Sequence, residues 1–260
     1  MLLLIDAGNT RVKWALAALP AGPADSPAAP GAWLADGAAA HAGLDALPAA
    51  WSAALAGRTI TGVLLSNVAG AAMRERLLDL LKLAPAGPAP VVCFASLPQL
   101  AGLRNGYRNP AQLGCDRFAA AIGARALAPD RAILVATCGT ATTIDAVSAD
   151  GLFLGGMILP GLGLMASSLA RHTAQLPQIA GKQAPPAGFA DNTDDAIRSG
   201  CLAAQAGAIE RAFAAHGAAE CLVSGGAAPF IAPALAVPHR VVDNMVLIGL
   251  QSAAPYLFQE

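Results

Sequence analysis

Near its start the chain reads Asp6-Ala7-Gly8-Asn9-Thr10-Arg11-Val12-Lys13. A carboxylate, a small-residue turn rich in backbone N–H groups, a hydroxyl and an ammonium follow one another closely. Backbone donors and a lysine suit phosphate oxygens. A carboxylate beside them makes chemical sense when a hard divalent cation lies between acid and phosphate. An ordinary hairpin with an Asn-Thr turn would have the same letters, so the words alone leave both readings open. Further along, Tyr107, Gly114, Cys115, Asp116 and Arg117 gather an aromatic, an acid and a guanidinium around Asn-Gly and Asn-Pro turns. Asp116 stands where a helix should begin, a favoured position for Asp. A second strand–glycine–strand word, Thr137-Cys138-Gly139-Thr140, echoes the first.

The elements that must hold these residues are those of an α/β protein. Met1–Ile5 is an apolar run too short for a helix and reads as a strand buried on both faces. A second strand follows near Val12–Leu16. Leu19 to Asp36 reads as a loop with a third strand near Ala32–Ala35, and Leu44–Leu55 as a helix interrupted by Pro48. Thr59–Ser66 is a strand, Ala71–Leu83 an amphipathic helix and Pro90–Ala95 a short strand. A helix opens at Asp116 and runs to Leu127. Ala132–Ala136 and Ala141–Val147 then repeat the opening hairpin, which points to an internal duplication. Glycines punctuate the strand-to-helix passage from Gly151 to Arg171, and Gln178–Phe189 reads as a loop. The acidic Asp191–Asp195 run opens a helix that stops at Gly217. Glu220–Ser224 is a buried strand leading into Gly225-Gly226, and Asn244–Leu257 is a closing helix ended by Pro255. The reading divides the chain into residues 1–113 and 114–260.

Composition narrows the function. Hydrophobic residues make up 55% of the 260 and charged residues 13%, against roughly 25% charged in soluble domains. Much of the excess is alanine, and it suggests surface covered by a partner subunit. With a net charge of −1 and no Lys/Arg cluster, nucleic acid is not the expected ligand. Met1–Ile5 lacks a basic leader, so no secretory signal is expected. Gly151 to Ala170 is uncharged and long enough for a bilayer, but its glycines and Pro160 favour a strand, turn and helix start. The five cysteines are widely spaced, which suits small buried residues in a reducing, cytoplasmic protein rather than disulfides or a zinc site.

Taken in order, these words resemble the type III pantothenate kinases of the actin-like ATPase and sugar-kinase superfamily. The matching stretches are Asp6-x-Gly8-Asn9-Thr10-x-x-Lys13, Asn105-Gly106-Tyr107-x-Asn109-Pro110, Gly114-Cys115-Asp116-Arg117 and Gly139-Thr140-Ala141-Thr142-Thr143-x-Asp145. Gly155-Gly156-x-Ile158-x-Pro160-Gly161, Asn192-Thr193 and Ser224-Gly225-Gly226 continue the series. The resemblance implies two duplicated ribonuclease-H-like domains with ATP in the cleft between them. It also implies transfer of the γ-phosphoryl group to the primary hydroxyl of pantothenate, the first step of coenzyme A synthesis. It assigns Asp6, Ala7, Gly8, Asn9, Thr10, Arg11, Val12, Lys13 and Thr140 to ATP, and Asp6 to Mg²⁺ through water. Tyr107, Gly114, Cys115, Asp116, Arg117 and Thr193 go to pantothenate, with Asp116 as proton acceptor. A homodimer is implied as well. One residue departs from the pattern. Many relatives carry Asp, a ligand for K⁺ or NH₄⁺, where this chain has Thr137, and a hydroxyl would hold a monovalent cation more weakly. Another kinase of the same superfamily and a regulatory protein on the same fold are the alternatives.

Overall fold

The computed structural model describes residues 1–18, 29–85, 89–179 and 188–258. The chain forms two compact units. The first is Met1–Pro129 with Gly151–Phe153 and Asn244–Glu260, and the second is Asp130–Asp150 with Leu154–Asp243.

The first unit opens with β1 (Leu2–Ala7) and β2 (Arg11–Ala17), then β3 (Ala35–Ala40), α1 (Leu47–Leu55), β4 (Gly62–Asn67), α2 (Ala71–Leu81) and β5 (Val91–Cys93). Next come β6 (Gln99–Leu100), β7 (Leu103–Asn105) and α3 (Cys115–Leu127). Its main sheet has the order β3-β2-β1-β4-β5. β1 is antiparallel to β2 and parallel to β4. Successive residues of a strand face opposite ways, and both faces of β1 are covered. Leu3, Ile5 and Ala7 enter a core with Val12, Trp14, Trp51 and Leu77. Leu2 and Leu4 are buried on the other face. The third strand begins where the expected one ends, at Ala35 rather than Ala32, because pairing with β2 sets its place. Its small residues have a cause: a Cβ on Gly37 would come within 2.9 Å of the Trp14 ring. Pro48 does not interrupt α1 but sits in its first turn, where a missing N–H is harmless.

The second unit holds β8 (Ile133–Cys138), β9 (Ala141–Val147), β10 (Leu152–Pro160), α4 (Leu162–His172), α5 (Thr193–His216), β11 (Glu220–Ser224), α6 (Ala228–Ile231) and β12 (His239–Val241). Its strands lie in the order β12-β11-β8-β9-β10. Strand for strand this is the order of the first unit, again with an antiparallel hairpin, β8 on β9, and a parallel neighbour, β11. The duplication suggested by two glycine words is therefore a duplication of topology. The expected strand, turn and helix start are present, with Gly161 as the single residue between β10 and α4 and the cap of the helix, while Gly155 and Gly156 lie inside the strand, Gly155 at φ +139°. Most of the expected 178–189 loop lies outside the described residues, as does much of the 19–36 loop.

The units do not divide at 113/114. The chain closes with α7 (Met245–Leu257), which belongs to the first unit and packs along α3. The helices meet at glycines: a Cβ on Gly123 would lie 2.7 Å from the Met245 carbonyl, and one on Gly249 would collide with the Ala119 backbone. Such close approach needs both side chains absent, and it ties α3 and α7 into the first unit. Pro255 lies within α7 rather than ending it, and the last turn closes by the Phe258 N–H to the Ala254 carbonyl. No helix among the described residues is long and apolar enough to cross a membrane.

Candidate active site

The chemistry of the first unit collects at the carboxyl ends of its parallel strands, where ligands of open α/β sheets usually bind. Asp6 is the penultimate residue of β1. Its register partners are Lys13 on β2 and Ser66 on β4. Residues directly opposite in a sheet share a face, so acid, ammonium and hydroxyl stand side by side. The turn between the strands is closed by the Gly8 N–H to the Arg11 carbonyl at 3.1 Å. Asn9, Thr10 and Arg11 are exposed, whereas Ala7 and Val12 are wholly buried. Those two side chains belong to the core, and only their backbones are available to a ligand.

The N-terminus of α3 reaches the same place. Cys115 Sγ lies 3.5 Å from Ser66 Oγ and 3.6 Å from the Asn67 carbonyl. That contact anchors the helix start to the end of β4 and brings Asp116 beside Asp6. Burial and then the Asp116 charge push the Asp6 carboxyl up to about 7, with Lys13 opposing. Burial also raises Asp116, partly offset by the Arg117 backbone N–H and the Arg117 charge. Burial likewise raises the Cys115 thiol, which suits packing rather than nucleophilic chemistry. Gly114 allows this arrangement, since a Cβ there would lie 2.7 Å from Asp116 Oδ1. The same oxygen accepts the Arg117 N–H at 2.8 Å.

Arg117 is almost fully buried. Its guanidinium lies 5.8 Å from the Tyr107 ring centroid and 5.9 Å from that of Phe153, and Nη1 donates to Tyr107 Oη at 2.9 Å. Tyr107 and Phe153 meet edge to face at 5.7 Å. Gly106 permits the approach, because a Cβ there would collide with the Phe153 carbonyl that accepts the Gly106 N–H. Asn105 and Asn109 are used internally: Asn105 accepts the Tyr107 N–H and Asn109 caps the short 110–112 turn. Ser66 and Phe153 were not foreseen as site residues. The parallel pairing that sets Ser66 beside Asp6 spans sixty residues and leaves no local signal.

In the second unit, the Gly139 N–H donates to the Ala141 carbonyl at 3.0 Å, matching the turn at Gly8. Two other segments press on it. The Gly161 N–H donates to the Thr140 carbonyl at 2.9 Å, and the Ala227 N–H to the Cys138 carbonyl at 2.9 Å. Any Cβ on Gly161 or Gly225 would strike the backbone of Gly139 or Cys138. The three glycine words of this half thus converge on one loop, with Thr140 exposed at its tip. Thr137 has Thr143 and Ser224 as register neighbours, so three hydroxyls share a face. The Thr143 hydroxyl is buried without a hydrogen-bond partner. Thr193 is not the cap of α5. Asn192 accepts the Asp195 N–H instead, and Thr193 lines a cavity of about 580 Å³ with Pro160, Met165, Leu169 and Ile197.

The donor set around Asp6 fits Mg²⁺. Among the described residues no cluster of three His, Cys, Asp or Glu could hold a metal on its own. Mg²⁺ at phosphate sites is held by one or two carboxylates completed by phosphate and water. Two neighbouring acids whose charges disfavour one another offer that arrangement. Glycine turns at the ends of two duplicated, mixed sheets are the architecture of the actin-like ATPase and sugar-kinase fold. The fold is shared with the 2-hydroxyisocaproyl-CoA dehydratase activator of Clostridium difficile with bound ADPNP, at TM-score 0.55, 12% identity, 98% of this chain and 92% of that one.

Sequence comparison is more specific. Residues 2–215 match the profile of the type III pantothenate kinases. The chain is 57% identical to the type III pantothenate kinase of Herminiimonas arsenicoxydans, covering 98% of this chain and 97% of the relative. It is 56% identical to that of Janthinobacterium sp. (strain Marseille), with the same coverage. The chain belongs to the type III pantothenate kinase family.

Proposed function

We propose that Asp6 and Asp116 divide the work of a phosphoryl transfer from ATP to the primary hydroxyl of pantothenate, the entry to coenzyme A biosynthesis. The observation that carries this reading is the junction of β1, β4 and α3. It sets the half-buried Asp116 next to Asp6, at the end of the strand that leads into the Gly8–Thr10 turn.

Phosphoryl transfer has a loose transition state, so positioning and neutralisation supply most of the catalysis. The Asp6–Lys13 turn holds ATP phosphates through the Asn9 N–H and Lys13, and Thr140 is assigned to ATP as well. Asp6 would hold Mg²⁺ through water, and the ion would supply neutralisation of phosphate charge. An alcohol is hardly ionised at neutral pH, and Asp116 is too weak a base to ionise it beforehand. Asp116 therefore accepts a hydrogen bond from the hydroxyl and takes its proton late, as the new P–O bond forms. Its raised affinity for protons suits that task. The stacked Tyr107–Arg117 pair contacts pantothenate, and the guanidinium faces its carboxylate or the developing phosphate charge.

A second copy completes the enzyme in this reading. Leu154, Met157 and Ile158 of β10 and Leu164 and Leu169 of α4 are all exposed. Large apolar side chains left exposed in this number on one strand and the helix after it suit a covering partner. Thr193 belongs to the neighbouring cavity, so its contact with pantothenate is assigned to the assembled homodimer. The hydroxyls at Thr137 and Thr143 would bind K⁺ or NH₄⁺ only weakly, which gives a shallow dependence on either ion. The protein acts in the cytoplasm. Measured ADP release that requires both pantothenate and Mg²⁺, and that vanishes in Asp116→Asn while ATP still binds, tests the assignment.

A further inference from the structure

The structure assigns His41 as a positioning residue for the first phosphate loop. Its ring Nε2 lies 2.9 Å from the Gly8 carbonyl oxygen. A carbonyl only accepts, so that nitrogen carries the proton and donates. The contact follows from the sheet. Arg11 on β2 is the register partner of Ala40 on β3. The residue after Ala40 therefore leaves the sheet beside the turn that precedes Arg11. There the chain enters the short 3₁₀ turn His41–Ala46 and turns the imidazole toward the loop.

The consequence lies in the next peptide unit. The Gly8 N–H is already committed to the Arg11 carbonyl. The Gly8–Asn9 peptide is planar and trans, as no cis bond occurs among the described residues. In such a unit the carbonyl and the following N–H point in opposite directions. Holding the Gly8 oxygen on one side thus aims the Asn9 N–H to the other. Gly8 has no side chain to restrict it, and Asn9 and Thr10 are exposed. Without His41 the peptide is free to turn, and the donor meant for a phosphate oxygen is lost for part of the time. His41 touches no substrate in this scheme. It acts by pre-setting a backbone donor, the kind of arrangement from which anion-binding turns draw their affinity.

The inference rests on reading Asp6–Lys13 as the ATP-phosphate loop, and the experiment separates the two. Steady-state constants for ATP and pantothenate are measured for His41→Ala, His41→Leu, His41→Gln and, as a control, Lys13→Ala. Gln supplies an amide N–H near the position of Nε2, whereas Leu keeps bulk without a donor. The Ala and Leu variants should raise KM for ATP about fivefold to tenfold, the value of one net hydrogen bond. KM for pantothenate should stay within about twofold, and Gln should restore most of the loss. A merely structural His41 would move both constants together, or the thermal midpoint, and would not discriminate Gln from Leu. If Lys13→Ala weakens ATP but the His41 variants do not, the positioning role is wrong and the loop stands. If Lys13→Ala leaves ATP untouched, the loop reading and this inference fall together.

Discussion

Removing the charge at Asp6 should stabilise the protein while destroying its activity. The Asp6 carboxyl, ordinarily ionising near 3.8, is pushed up to about 7 by burial and by Asp116. At 1.36 kcal/mol per pKa unit, the ionised form costs the metal-free fold at most about 4 kcal/mol. Asp6 keeps a partly accessible surface, so solvent screens some of this, and about 2 kcal/mol is the working figure. The sign follows from the raised value. Folding favours the protonated acid, so its contribution is fully present below pH 3.8 and is lost as pH rises through about 7. Asp6→Asn has no charge to bury. In metal-free, nucleotide-free protein at pH 8 it should therefore melt about 4–8 °C above the parent. That advantage should shrink by about half or more at pH 5, where the folded parent already carries the proton. Mg²⁺ with ATP should raise the parent's midpoint and leave the variant's almost unchanged. Thermal unfolding followed by circular dichroism at the two pH values gives the answer. An Asn variant that melts below the parent at pH 8, or whose advantage is the same at pH 5, would refute the argument that Asp6 is a strained charge kept for a metal.

Other consequences are simpler to read. Gly114→Ala brings a methyl within 2.7 Å of Asp116 Oδ1; kcat should fall more than tenfold with ATP affinity intact, since the acid is displaced and the loop is not. Tyr107→Phe removes the acceptor of the Arg117 bond, and KM for pantothenate should rise about tenfold, the value of a charge-assisted hydrogen bond, in steady-state assays. Leu154→Asp with Ile158→Asp puts charge on one exposed face of β10 and, if the proposed homodimer uses that face, should give a monomer by light scattering, with pantothenate turnover falling alongside.

Much of the fold was legible because its strands announce themselves. Leu2–Ile5 and Ile133–Ala136 are apolar runs too short for a helix, and each leads into a glycine turn, which marks a buried strand. The N-terminal start of α5 and its stop at Gly217, in the left-handed region at φ +64°, follow from local chemistry. What failed depends on contacts far apart in sequence. The division at 113/114 could not foresee that Gly123 and Gly249 would bring α7 back onto α3. β3 was misplaced by a few residues because an alanine-rich strand has little hydrophobic alternation, and Trp14 across the sheet fixes it. At the site, Asp6, Lys13 and Asp116 stood out as charges beside turns. Ser66 and Phe153 did not, since their partners come from β1 and from the Tyr107 segment. Within the Asp191–Asp195 run the cap is Asn192, whose side chain accepts the Asp195 N–H at 3.0 Å.

The most direct measurement is transfer of labelled γ-phosphate from ATP to pantothenate by the parent and by Asp116→Asn, with nucleotide affinity determined on the same samples. Labelled phosphopantothenate should form readily with the parent. The variant should bind ATP as tightly and turn over about a hundred-fold to ten-thousand-fold more slowly, as expected for loss of a general base. Near-parental transfer by Asp116→Asn would mean that the acid at the start of α3 is not where the hydroxyl proton goes.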